Sequence, residues 1–163
     1  MRRIEAHYLA VNNLIESNKN SLLISSSYDK SIKLWNKDTG QLIKTLLGNA
    51  WTISALVELR NGQLASGWLD SSIKIWDQDS GQLTKTITDE SNAYVLSLAE
   101  LNHPDYLASC TFKVIKIWNL TSNKLIRRLE AHSNDVRSMV MLKSGLLASA
   151  SNDKTINIWD TRF

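Results

Sequence analysis

The 163-residue sequence has one cysteine, Cys110, one proline and only six glycines. A single cysteine excludes an internal disulfide and fits a reducing, cytoplasmic setting. With so little proline and glycine, tight turns must rely on Asn, Asp and Ser, which tolerate turn geometry. No apolar run approaches the length of a membrane span. The basic start "MRRIEAHYLA" lacks the apolar core of a secretory signal, so no membrane association is expected. Charge of one sign is also lacking: the net charge is +3, with basic pairs only at Arg2-Arg3 and Arg127-Arg128. Without a basic stripe interleaved with aromatics, a nucleic-acid partner is not expected. Neither a Cys/His cluster with zinc spacing nor a glycine-rich phosphate loop is present, so no metal or cofactor is expected.

What is present is repetition. "SIKLWNKDTGQL" (31–42) and "SIKIWDQDSGQL" (72–83) are nearly the same segment, followed by "VIKIWNLTSNKL" (114–125) and "TINIWDTRF" (155–163). The tryptophans Trp35, Trp76, Trp118 and Trp159 are spaced by 41, 42 and 41 residues. A period in this range belongs to solenoids, propellers or arrays. Within one repeat, runs such as Ile32-Lys33-Leu34-Trp35 alternate with period two, as strands do. Tyr28-Asp29-Lys30, Gly40 and "RNG" at 60–62 supply the turns. The sequence is thus expected to be all-β, with about four short antiparallel strands per repeat, the signature of a β-propeller blade. The expected blades are approximately 8–46, 49–87, 92–129 and 134–163, in a single domain over 1–163.

"IWD" at 75–77 and 158–160, "LWN" at 34–36 and "IWN" at 117–119 resemble the tryptophan–aspartate (WD) repeat propellers. Ala6-His7 and Ala131-His132 stand where that family usually has Gly-His. The resemblance covers essentially the whole chain. It implies a non-enzymatic scaffold that binds proteins or peptides. It also implies a hydrogen-bonded chain within each blade, running from Trp to Ser, Ser to His and His to Asp. His7, Ser25, Asp29 and Trp35 form one such set, and His132, Ser149, Asp153 and Trp159 recur at matching spacing. A catalytic Ser/His/Asp triad would be expected once, not at the repeat period. The second blade keeps Ser66, Asp70 and Trp76 but has Asn49 in place of His. The third keeps Ser109 and Trp118, with Ser91 in the His position and a turn one residue short, and is expected either to be the least well stapled or to use its altered turn for a partner. Cys110 reads as a small buried residue, and His103 as an exposed turn residue. Lys33, Lys74 and Lys116 read as stems over the blade with solvated heads.

The resemblance also points to the face bearing the inter-strand loops and Asp turns as the contact surface. Aligning the copies on Val11, Ile53, Val95 and Val136 gives Asn12, Thr52, Ser54, Leu96, Asp135, Arg137 and Tyr94 beside those positions. Tyr28, Leu69, Thr111 and Asn152 fall in the turns, and Trp51 and Trp68 are aromatics the repeat does not demand. The terminal "IWDTR" fits a Trp-Asp-x-Arg pattern like that of substrate receptors of cullin ubiquitin ligases, an alternative function. An enzyme with a site in the propeller channel is the remaining rival. Residues 1–6 repeat the end of an outer strand (Arg3-Ile4-Glu5-Ala6-His7 against Arg128-Leu129-Glu130-Ala131-His132) and are expected to complete the last blade. Two chains would then form an eight-bladed homodimeric ring, with a closed four-bladed monomer as the alternative.

Overall fold

A computed structural model describes residues 3–18, 21–48, 51–103, 105–130 and 132–162. Four sheets follow one another along the chain. The first is β1 (Val11–Glu16), β2 (Leu22–Ser27), β3 (Ser31–Asn36) and β4 (Leu42–Leu47). The second is β5 (Ile53–Glu58), β6 (Gln63–Trp68), β7 (Ser72–Asp77) and β8 (Leu83–Thr88). The third is β9 (Ser97–Glu100), β10 (Tyr106–Thr111), β11 (Val114–Asn119) and β12 (Lys124–Glu130). The fourth has three strands among the described residues: β13 (Val136–Met141), β14 (Leu147–Ser151) and β15 (Ile156–Trp159). Each is an antiparallel meander, as short connections require. No helix is long and apolar enough to cross a membrane.

The innermost strands touch in the order β1, β5, β9, β13, and no contact of comparable extent joins β13 back to β1. The molecule is therefore a four-bladed propeller arc that is open on one side. The four-bladed ring closed within one chain is not the arrangement found, because among the described residues no strand contact like that between successive blades joins the first blade to the last. Residues 3–7 form no strand here, and Met1 and Arg2 lie outside the described residues.

The hydrophobic core is divided into three clusters, one at each junction between blades. Ile24, Ile32 and Leu34 of the first blade meet Ile53, Leu56 and Leu64 of the second. Ile73, Ile75 and Ile87 meet Val95, Leu98 and Leu107. Ile115, Ile117 and Leu129 meet Val136, Met139 and Leu147. The aliphatics on the alternating strands before Trp35, Trp76 and Trp118 are thus buried with the help of the next blade. A bulge just before or at Trp35, Trp76 and Trp118, where the third strand meets the fourth, recurs in each complete blade. It inserts one unpaired residue and locally raises the twist.

Candidate functional site

Every blade offers one polar slot between its second and third strands, and the chain uses three kinds of staple around it. In the first blade, Trp35 Nε1–H donates to Ser25 Oγ at 2.9 Å. Ser25 Oγ lies 2.7 Å from His7 Nε2, and His7 Nδ1 lies 2.9 Å from Asp29 Oδ2. Burial works to raise the Asp29 carboxyl. The Ser31 hydroxyl and amide, the Tyr8 amide and His7 outweigh it and hold the group at about 2. An ionised Asp29 can only accept, so Nδ1 carries the proton. Nε2 then accepts from the Ser25 hydroxyl, and every member is satisfied. The fourth blade repeats this chain with Trp159, Ser149, His132 and Asp153 at 2.9 Å throughout. The Thr155 hydroxyl leads the donors that hold Asp153 well below the usual carboxylate range.

In the second blade the slot is filled by an aromatic. Trp76 Nε1–H and Trp68 Nε1–H both donate to Ser66 Oγ, each at 2.8 Å. Trp68 is completely buried, with the Lys74 ammonium 4.4 Å from its ring centroid. Gly48 makes room for it: a Cβ there would fall 1.8 Å from the Trp68 ring. The reading of Trp68 as a partner-face residue is therefore corrected, because the indole serves as a core side chain and polar staple. Asp70 accepts from the Ser72 amide and hydroxyl at 3.1 and 2.5 Å. Asn49 lies outside the described residues.

In the third blade Trp118 Nε1–H donates to Ser109 Oγ at 2.8 Å, and Lys116, at the repeat position of Lys33 and Lys74, makes an ion pair of its own. Lys116 is 1% exposed, and its ammonium donates to the Asp89 carboxylate and, at 2.6 Å, to Ser91 Oγ. Burial tends to raise the Asp89 carboxyl. Lys116 and the Ser91 amide and hydroxyl overcome that and leave it below its ordinary value. The expectation of a poorly stapled third blade is thus corrected: a buried ion pair ties β11 to the loop that carries Asp89 and Ser91. The lysine expectation is corrected with it. Lys74 is 5% exposed, its pKa lowered by burial, and Lys33 Nζ donates to the Ala6 carbonyl at 2.7 Å. Asp89 went unnoticed because it belongs to no repeated motif. An acidic residue two positions before Ser91 was the available signal.

The loop-bearing face holds a concave pocket of about 500 Å³. Seven of the proposed face residues line it: Asn12, Tyr28, Thr52, Ser54, Leu69, Leu96 and Arg137. Trp51 (53% exposed), Tyr94 (45%) and Asn152 lie outside that lining, and Asp135 lines a neighbouring pocket with Phe112 and Arg128. Thr111 is buried. The shortened third turn presents Phe112 instead, 46% exposed, with its ring 6.1 Å from that of Tyr94. Cys110 is fully buried, its Sγ donates to the Val136 carbonyl, and burial pushes the thiol up to about 12. His103 is exposed and stacks on Tyr106 at 4.2 Å. Among the described residues no group of three or more His, Cys, Asp or Glu could hold a metal ion. Arg162, of the Trp-Asp-x-Arg segment, donates to both carboxylate oxygens of Asp160.

Repeated antiparallel blades, two of them held by a Trp–Ser–His–Asp chain, define a β-propeller of WD type. The WD domain, G-beta repeat model matches residues 1–36 and 123–160. WD repeat-containing protein SL1-17 of Schistosoma mansoni is 32% identical, over 98% of this chain and 54% of that protein. Nuclear distribution protein PAC1 of Coccidioides posadasii is 39% identical, over 86% of this chain and 34% of its own length. The solved RRP9 WD40 repeats superpose with a TM-score of 0.89 at 25% identity, over 97% of this chain and 50% of theirs. The chain belongs to the WD-repeat β-propeller family, and it spans between about a third and about half of the length of these relatives.

Proposed function

We propose that the chain is a non-enzymatic scaffold that binds a protein or peptide segment on its loop-bearing face. The pocket bounded by Tyr28, Leu96 and Arg137, with the Tyr94–Phe112 pair nearby, carries this reading. Exposed Tyr and Arg beside a concave surface are the residue types most enriched at binding hot spots. The mixed lining of amide, hydroxyl, aliphatic and guanidinium groups suits an extended peptide better than a small apolar ligand. The Ser25–His7–Asp29 set supports the non-enzymatic half of the reading. Its geometry is that of a triad, but Ser25 is 2% exposed and its oxygen already accepts from Trp35, so no substrate carbonyl can approach. The Trp-Asp-x-Arg segment supports no separate reading, since Asp160 of the same turn holds the Arg162 guanidinium.

Peptides selected on the wild-type chain from a displayed random library test the proposal. Combining Tyr28→Ala, Tyr94→Ala and Arg137→Ala should weaken them at least about tenfold, or ~1.4 kcal/mol. Lys124→Ala, on the exposed outer strand β12, should leave them unchanged. Affinity that survives the triple substitution overturns the placement.

A further inference from the structure

The pocket on the loop-bearing face offers a partner one fixed charge. Its lining carries a single cation, Arg137, and no acidic residue among the described residues. Arg137 shares that lining with residues of all three preceding blades, on the concave side of the arc. It is exposed and forms no ion pair among the described residues, and Asp135, two positions away, lines the neighbouring pocket instead. Burial pushes the Cys110 thiol up to about 12, and the Arg137 charge, close enough to act across the junction of the third and fourth blades, works the other way. Other polar groups of the lining are already engaged with their neighbours. The Asn12 side-chain oxygen accepts from the Ser26 hydroxyl at 2.8 Å, and its amide donates to the Ile53 carbonyl. The Ser54 hydroxyl donates to the Gly67 carbonyl at 3.1 Å. Ser97 Oγ accepts from the Met139 amide at 3.2 Å, which leaves its hydrogen to donate. The acceptors of Asn12 and Ser97 are thus taken up within the protein, while the Ser97 O–H, the exposed Tyr28 phenol and the whole Arg137 guanidinium remain to donate.

We infer that the segment bound on this face presents an anionic side chain, a carboxylate or a phosphoryl group, to Arg137. The inference rests on the peptide-binding reading above and adds to it the charge of the bound residue. Charge complementarity selects this occupant. A guanidinium with no internal partner has its full fork of N–H donors available, and that fork matches a carboxylate or phosphate with two parallel bonds. The leucines beside it, Leu69, Leu96 and Leu98, exclude water once a peptide lies over them, and the attraction strengthens as the local dielectric falls. A basic side chain in the same place would meet a like charge with no carboxylate in the lining to offset it. A neutral one would cover the guanidinium and leave it desolvated without a counter-charge.

Peptides selected on the wild-type chain from the displayed random library are the probe. Asp or Glu should be enriched at one position over the unselected library. In fluorescence anisotropy, changing that residue to its amide should weaken binding at least about tenfold, as for the loss of a charge-assisted hydrogen bond. Arg137→Gln should weaken the acidic peptide by a similar factor and leave the amide version nearly unchanged. Added salt should weaken the acidic peptide more than the amide version on the wild-type chain, a readout that needs no variant to fold. Phosphoserine at the acidic position separates the two sources of the anion: tighter binding assigns it to a phosphorylated partner, and weaker binding to a carboxylate one. Selected peptides without an enriched acidic residue, or an Arg137→Gln loss that is equal for the acidic and amide versions, overturn the inference. In either case the binding face itself stands if Tyr28→Ala with Tyr94→Ala still weakens those peptides, and it falls with the inference if that pair of substitutions has no effect or if the library yields no peptide.

Discussion

The buried Lys116–Asp89 pair gives the most demanding prediction. Asp89→Asn keeps the side-chain shape but removes the carboxylate. The Lys116 ammonium, 1% exposed, then keeps the Ser91 hydroxyl and at most a neutral amide oxygen, with no charge to balance it. Breaking one side of a buried ion pair typically costs about 3–5 kcal/mol, because the remaining charge is neither solvated nor paired. Lys116→Met removes the other side. Asp89 then keeps the Ser91 amide at 3.1 Å and the Ser91 hydroxyl at 2.8 Å, and it lies closer to solvent. The cost of Lys116→Met should therefore be smaller, about 1–3 kcal/mol, as for a polar group left partly unsatisfied. Asp89→Ala with Lys116→Met replaces the pair by apolar groups and should cost less than the two single effects added together. The coupling should reach about 2 kcal/mol, within the range seen for contacting residues. Urea unfolding read by tryptophan fluorescence at one fixed protein concentration measures all variants, with midpoints compared at constant slope. Single effects each below about 1 kcal/mol that add without coupling would show that the ammonium is solvated, contradicting the staple.

Three further outcomes follow from the other slots and the thiol. Gly48→Ala should destabilise the second blade by about 1–3 kcal/mol as an overpacked site, and Trp68→Ala by about 3–5 kcal/mol through the cavity left behind; chemical denaturation checks both, and a neutral Gly48→Ala would mean that Trp68 does not fill the slot. The folded Asp29 carboxyl lies at about 2, below its ordinary 3.8, so its contribution to stability is present above about 4 and is lost as pH falls towards 2; Asp29→Asn should flatten the acid limb of a thermal-melt series. Cys110 should react with a thiol reagent at pH 8 only on unfolding, and reaction with the native protein would contradict its burial.

The repeat period, the strand alternation and the polar set of the first and last blades were legible because each depends on residues close in sequence and written more than once. His7, Ser25, Asp29 and Trp35 recur as His132, Ser149, Asp153 and Trp159, so one set of spacings supports the other. The middle blades were less legible for a physical reason. Burial of Trp68 depends on a missing side chain at Gly48, 20 positions away, and a bulky aromatic at a strand end reads as exposed when that gap is not weighed. Burial of Lys116 depends on Asp89, 27 positions earlier, in a loop without a repeated motif. A lysine alternating with aliphatics is usually a stem with a solvated head. Only the loop's path brings the carboxylate over it.

The three kinds of staple satisfy the same physical requirement. Ser25, Ser66, Ser109 and Ser149 each receive the indole N–H of the tryptophan in the third strand of their own blade. What varies is the group beyond it: His–Asp in the first and last blades, a second indole in the second, and in the third an ammonium–carboxylate pair that bonds Ser91 and not Ser109. Each brings its own donors and acceptors into a place where an unpaired one would be costly. The slot therefore selects for a complete set of partners, not for a particular residue. Single substitutions towards the common pattern should fail. Histidine at Trp68 would leave the space opposite Gly48 unfilled. Histidine at Lys116 would be too short to reach Asp89 in the same way. A change of staple has to come as a set, because each intermediate leaves a buried polar group unpaired or a void behind it.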